Sequence, residues 1–174
     1  MSTVRALPMV EGLCGELELL ARVLQDGTRE WRKELGVVGR DALRYQENGD
    51  GRSIGLLLLH LADSEDWWIR EVAAGKGPSP ETRKRFLSEE TNQYGGVWPS
   101  PPSYSLKEYY AMQDEIRSQT LSILREIGSA DHLGAVPGGK RQFTQRWIVT
   151  HIIQHEPYHA GQMVMLKQQF LKQK

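Results

Sequence analysis

The sequence reads as all-α, a four-helix bundle in which residues 1–174 make one domain with a long connection over 76–104. Three observations lead there. Four segments of roughly 20 to 27 residues carry apolar side chains at spacings of three and four, the repeat of one helix face. None carries the sustained alternation of a half-buried strand. The second and third are bracketed by residues that start or stop helices, and four such helices fill a chain of this size as a bundle.

The first segment runs from about Met9 to Leu35, with Pro8 just ahead of it. Leu13, Leu17, Leu20, Ala21, Leu24 and Trp31 repeat at three or four with charges between them. The second runs from about Ile54 to Ala74, with Ser53 as its N-cap and Gly75, Gly77 and Pro78 closing it. Its opening, Ile54 to Ala62, is apolar almost all round and predicts burial on more than one side. The third opens on Ser105-Leu-Lys-Glu108, a capping-box pattern, and continues through Ile116, Ile123 and Leu124 to Gly128. The fourth runs from about Thr144 to Phe170.

Between them, residues 36–52 and 128–143 are moderate connections, the second with room for a hairpin around Pro137-Gly138-Gly139. Residues 76–104 hold five prolines and the aromatics Tyr94, Trp98 and Tyr104, with a short helix expected after Ser79-Pro80-Glu81. A connection that long serves as a lid, a binding loop or a partner surface.

Composition narrows the function. Lysine plus arginine number 22 and aspartate plus glutamate 22, so no net field favours phosphate backbones or anionic membranes. Nucleic-acid binding loses its electrostatic footprint. The longest apolar run, Ile54 to Leu59, is far too short to span a bilayer. No cleavable leader is evident at the N-terminus. The single cysteine, Cys14, cannot form an intrachain disulfide and fits a reducing cytoplasm. Its leucine neighbours place it in the core rather than as a nucleophile.

The most informative stretch lies on the fourth segment, His151-Ile-Ile-Gln-His155-Glu-Pro-Tyr-His159-Ala-Gly161-Gln162. Its three histidines are four residues apart and climb one helix face with a drift of about 40° per step. Neutral imidazoles at i and i+4 make a natural clamp for a divalent ion. Within the ladder, His155-Glu156-Pro157-Tyr158-His159 matches H-E-x-x-H, the zincin metalloprotease pattern with Glu156 as general base. Two features oppose that reading. The fifteen residues after His159 contain no His, Asp, Glu or Cys to complete the site. Pro157 would also strain or kink an uninterrupted helix by about 3 kcal/mol.

A third ligand must then come from upstream, and His60 is the candidate. It sits mid-way along the most hydrophobic helix, where a neutral imidazole needs partners. A hydrogen bond to a neighbouring helix would serve equally well. Bundle cores hold metals with side chains converging from facing helices.

Ile54 to Trp68 (I-G-L-L-L-L-H-L-A-D-S-E-D-W-W), followed about ninety residues later by H-x-x-x-H-x-x-x-H-x-G-Q, resembles the DinB/YfiT-like superfamily of bacterial four-helix-bundle proteins. The resemblance spans all four helices. It implies a divalent metal, often Zn or Ni, held by one histidine of the second helix and two of the last, here His60, His155 and His159. It implies transfer or isomerisation with a low-molecular-weight thiol as co-substrate in some members, and a homodimer in many. The sequence departs from the family pattern at Ala160, where many relatives carry Arg, and at Pro157.

Three imidazoles leave one tetrahedral position open, as in catalytic zinc sites. The expectation is therefore a metal-dependent transferase or hydrolase acting on a small molecule, with a thiol co-substrate. The alternative is a non-enzymatic, metal-stabilised dimer with a stress-associated or metal-sensing role. His151 is a candidate fourth ligand or support for the other ligands, with packing as its simpler role. Asp63 and Gln162 are candidates to orient an imidazole, against the plainer readings of a charged helix face and a packing residue. Glu156 would reach the site edge or face solvent. Trp67 and Trp68 read as packing residues, and Gly161 as a point of close helix approach.

Overall fold

The computed structural model describes residues 6–49, 51–91 and 97–173, and Tyr94 lies outside them. The architecture is all-α apart from one small hairpin. Four long helical segments build it: α1 (Gly15–Leu35), α3 (Ile54–Asp66) with a π-helical continuation (Trp67–Ala73), α5 (Leu106–Ile127) and α6 (Gln145–Lys172). Short helices α2 (Arg40–Arg44) and α4 (Pro80–Phe86) lie in the connections, with a 3₁₀ turn at Glu47–Gly49. Strands β1 (Leu133–Ala135) and β2 (Gln142–Thr144) pair antiparallel, the hairpin expected around Pro137-Gly138-Gly139.

Local chemistry sets most helix ends. Ser53 accepts a hydrogen bond from the Leu56 N–H at 3.2 Å. Ser105 and Glu108 close a reciprocal capping box, and Gly128 ends α5 in a left-handed conformation. Ser79 caps α4, with Pro80 at its first position. The first helix starts later than its apolar pattern suggests. Gly12 and Gly15 both take positive φ, so the backbone turns once ahead of the helix and again at its first residue. Cys14, between them, is the extended residue preceding α1 and is exposed. Its expected place in the core is thus corrected: Leu17 and Leu20 lie on the helix, whereas Cys14 precedes it.

α6 packs along α1 and α3, and α5 packs on α3. Flanked also by α2 and α4, α3 is covered on several sides, as its apolar opening requires. One buried cluster centres on the Leu56 to Ala62 stretch with Trp31, Tyr109 and Met163. A second gathers Leu17, Leu24, Ile69, Leu124, Ile148 and Ile152 toward the hairpin end. The helix α6 continues through Pro157, which is exposed and sits on the solvent side of the bundle. No described helix is long and apolar enough to cross a membrane.

Candidate metal centre

The buried start of α3 carries His60 inward, and the inner face of α6 carries His155 and His159 toward it. Ring centroids lie 5.1 Å apart for His60 and His155, 4.9 Å for His60 and His159, and 4.4 Å for His155 and His159. One nitrogen from each ring lies within 4.8 Å of the other two. Among the described residues this is the group of His, Cys, Asp and Glu side chains that meets a metal's spacing. His60 and His159 are buried, while His155 is half-buried.

Burial keeps these imidazoles neutral. It is the main cause that lowers His60 to about 4, with the charges of His159 and Arg52 adding to it. His155 falls to about 3, again chiefly through burial, with His159, His60 and His151 next. Burial also lowers His159, against a hydrogen bond from its ring to Gln162 that raises it. Neutral imidazole is the form that ligates.

The donor set fits a divalent ion on three further grounds. The Nε2 atom of His60 is buried and has no hydrogen-bond partner among the described residues, a cost that coordination would remove. The Nδ1 atom of His159 lies 2.8 Å from Oε1 of Gln162. An amide oxygen only accepts, so Nδ1 carries the proton and Nε2 the lone pair. That lone pair faces Nε2 of His155 at 3.0 Å. A tetrahedral ion with bonds of about 2.0–2.1 Å needs donors roughly 3.3 Å apart. The observed 3.0 Å and the 4.8 Å limit bracket that value.

The other sequence candidates are placed as follows. Gln162 meets His159 directly and orients it. Asp63 does not turn to an imidazole: Ser88 donates a short hydrogen bond to it. Desolvation raises the Asp63 carboxyl to about 6, against the pull of that hydrogen bond. His151 stands outside the converging group. Its ring stacks on Trp147 at 5.0 Å and 5°, and meets Trp68 edge-on at 4.9 Å. It also stacks on His155 at 5.8 Å, so it buttresses that ring. Gly161 is exposed, and no atom lies close enough to need its missing side chain, so its expected role in helix approach is corrected.

Glu156 departs furthest from expectation. It is buried, and its carboxylate accepts from Thr28 Oγ1 at 2.6 Å, Trp31 Nε1 at 2.9 Å and Arg117 Nη2 at 2.5 Å. The cavity bordered by Glu156, Thr28, Glu65 and Arg117 measures about 20 Å³, room for one water and no substrate. With no substrate able to reach it, Glu156 cannot serve as the general base of a zincin. The H-E-x-x-H reading fails there.

Two contacts escape sequence reasoning. Trp98, from the long connection, is buried and packs on His60 at 5.9 Å between ring centroids. The guanidinium of Arg52 lies over the Trp98 ring, 5.5 Å from its centre. The aromatic content of 76–104 hinted at a cover, but not which residue it covers.

The family profile described as Mycothiol-S-transferase matches residues 19–170. No curated protein matches the chain. Among solved structures, a histidine-to-alanine mutant of the mycothiol-dependent maleylpyruvate isomerase superposes with a TM-score of 0.57 at 14% identity. The match covers 84% of this chain and 60% of that one. At that identity the likeness speaks for the fold, and the chain spans 60% of its neighbour's length.

Proposed function

The chain belongs to the mycothiol-S-transferase family, a DinB/YfiT-like family, and on that footing we propose that it is a metal-dependent transferase joining a low-molecular-weight thiol to a small electrophile. His60, His155 and His159 would hold a divalent ion, Zn or Ni, and the thiol of the family name, mycothiol, is the co-substrate we assign. The observation that carries the reading is the convergence of three neutral imidazoles with the Nε2 atom of His60 buried and unpartnered. When bound, such an ion supplies the positive charge that holds a thiol as thiolate at neutral pH.

The chain's own residues do the remaining work. Gln162 fixes the His159 tautomer so that Nε2 faces inward. Trp98 covers His60 and keeps water from that side. His155 is the least buried of the three, so substrates approach from its side of α6. The stacked rings of Trp147 and His151 limit how far the His155 ring can swing. The proposal includes a homodimer in the cytoplasm.

The test is metal analysis of protein purified without a histidine tag, followed by turnover of a model electrophile with a panel of thiols. Bound metal near one equivalent per chain is expected, together with thiol-dependent turnover. Both should be lost in His155→Ala while the helical circular dichroism is kept. Metal-free protein, or turnover unchanged in His155→Ala, refutes the proposal. Bound metal without turnover of any thiol would favour the non-enzymatic alternative.

A further inference from the structure

The side chain of Glu156, on the residue after His155, joins a buried charge network that reaches both helices bearing the converging histidines. Arg117 on α5 grips Glu65 of α3 with two parallel hydrogen bonds, Nε to Oε1 at 2.7 Å and Nη2 to Oε2 at 2.9 Å. The same guanidinium donates to Glu156 of α6 at 2.5 Å and to Thr28 of α1 at 3.0 Å. Thr28 and Trp31 complete the Glu156 carboxylate from α1. All four long helices thus meet at one guanidinium. Glu65 lies five residues beyond His60, and Glu156 lies between the two α6 histidines in sequence.

We infer that Arg117, with Glu65 and Glu156, is a positioning device that holds α3 and α6 in the rotation and spacing at which His60 meets His155 and His159. The inference rests on the metal reading of that site. Energetics favour this role over a stabilising one. Burying one cation with two carboxylates costs desolvation that their attraction repays only in part, and apolar substitutes of similar volume often leave such folds no less stable. What the charges supply is direction. A bidentate guanidinium–carboxylate pair holds its partners to a narrow geometry, whereas apolar contacts tolerate sliding and rotation. Helix α6 needs such a restraint, because Pro157, between the two histidines in sequence, has no N–H to give the Ile153 carbonyl one turn back.

The experiment compares metal affinity with fold stability in the full chain. Two variants are used: the apolar replacement Glu65→Leu/Arg117→Met/Glu156→Leu, and the single change Arg117→Lys. Zinc affinity is measured by competition with a chromophoric chelator, and the ligand field by the visible spectrum of the Co²⁺ form. Melting temperature is read on metal-free protein. For the triple variant, helix content should be unchanged and the metal-free melting temperature close to wild type. Its zinc affinity should fall about 10- to 100-fold, the range seen when groups behind metal ligands are lost. The Co²⁺ bands should shift and weaken.

Arg117→Lys keeps the charge and loses the fork, so it should show a smaller loss of affinity with the same spectral trend. Should the triple variant fail to fold, the Arg117→Lys comparison decides alone. Zinc affinity within twofold of wild type and an unchanged Co²⁺ spectrum, in a folded variant of either kind, overturn the inference. Wild-type protein that takes up neither ion overturns the metal reading, and this inference with it.

Discussion

Replacing Asp63 by Asn should stabilise the metal-free protein at neutral pH. Burial raises the Asp63 carboxyl from 3.8 to about 6, the hydrogen bond from Ser88 lowers it, and the charge of Asp66 raises it further. The folded state therefore binds this proton more tightly than the unfolded chain. Its favourable contribution is complete below the unfolded value near 4 and is lost as pH rises through 6. A separation of about two pH units corresponds to roughly 3 kcal/mol, and partial solvent contact trims this to about 2 kcal/mol. Asparagine keeps an oxygen to accept from Ser88 and carries no charge. The variant should thus gain about 2 kcal/mol at pH 7.5, and only about a third of that at pH 4.5, where wild type is mostly protonated when folded. Urea melts followed by circular dichroism, with chelator present throughout, measure both values. Equal or lower stability of Asp63→Asn at pH 7.5, or a gain of the same size at both pH values, refutes the reasoning.

Other expectations follow from the same geometry. Because Asp63 bonds Ser88 and not an imidazole, Asp63→Asn should leave zinc affinity within about twofold of wild type, by chelator competition. Gln162→Leu removes the acceptor for His159 Nδ1–H and should weaken zinc binding about 10-fold or more, while Gln162→Glu retains or improves it. A methyl group at Gly55 would fall 2.5 Å from Tyr109 Oη and 3.1 Å from the Leu43 carbonyl oxygen. Tyr109 is buried and tied to the Pro102 carbonyl, so it yields little. Gly55→Ala should cost about 1–3 kcal/mol in denaturant melts.

Sequence spacing alone placed the four helical segments, because a face repeats every three or four residues wherever the helix finally packs. Ser53, Ser105 and Gly128 announced helix ends for the same local reason, since a cap needs only its own neighbours. His155 and His159 could be paired from their four-residue spacing. His60 stood out as a candidate from its place in the most apolar helix and from the family resemblance, but spacing could not show that the three rings meet. That meeting depends on α3 and α6 lying side by side, some ninety residues apart in the chain.

Glu156 marks the boundary most clearly. Helix geometry says that it points about 100° away from His155. Whether that direction leads to solvent, to the site or to a buried arginine depends on what α1 and α5 bring there. Cys14 shows the same limit from another side: an apolar neighbourhood in sequence became an exposed turn once two glycines took positive φ. Spacing along one helix determines which side chains share a face, because rise and turn per residue are constant. What that face meets is decided only when distant helices pack, because that choice minimises exposed apolar surface and unpaired polar groups over the whole molecule at once.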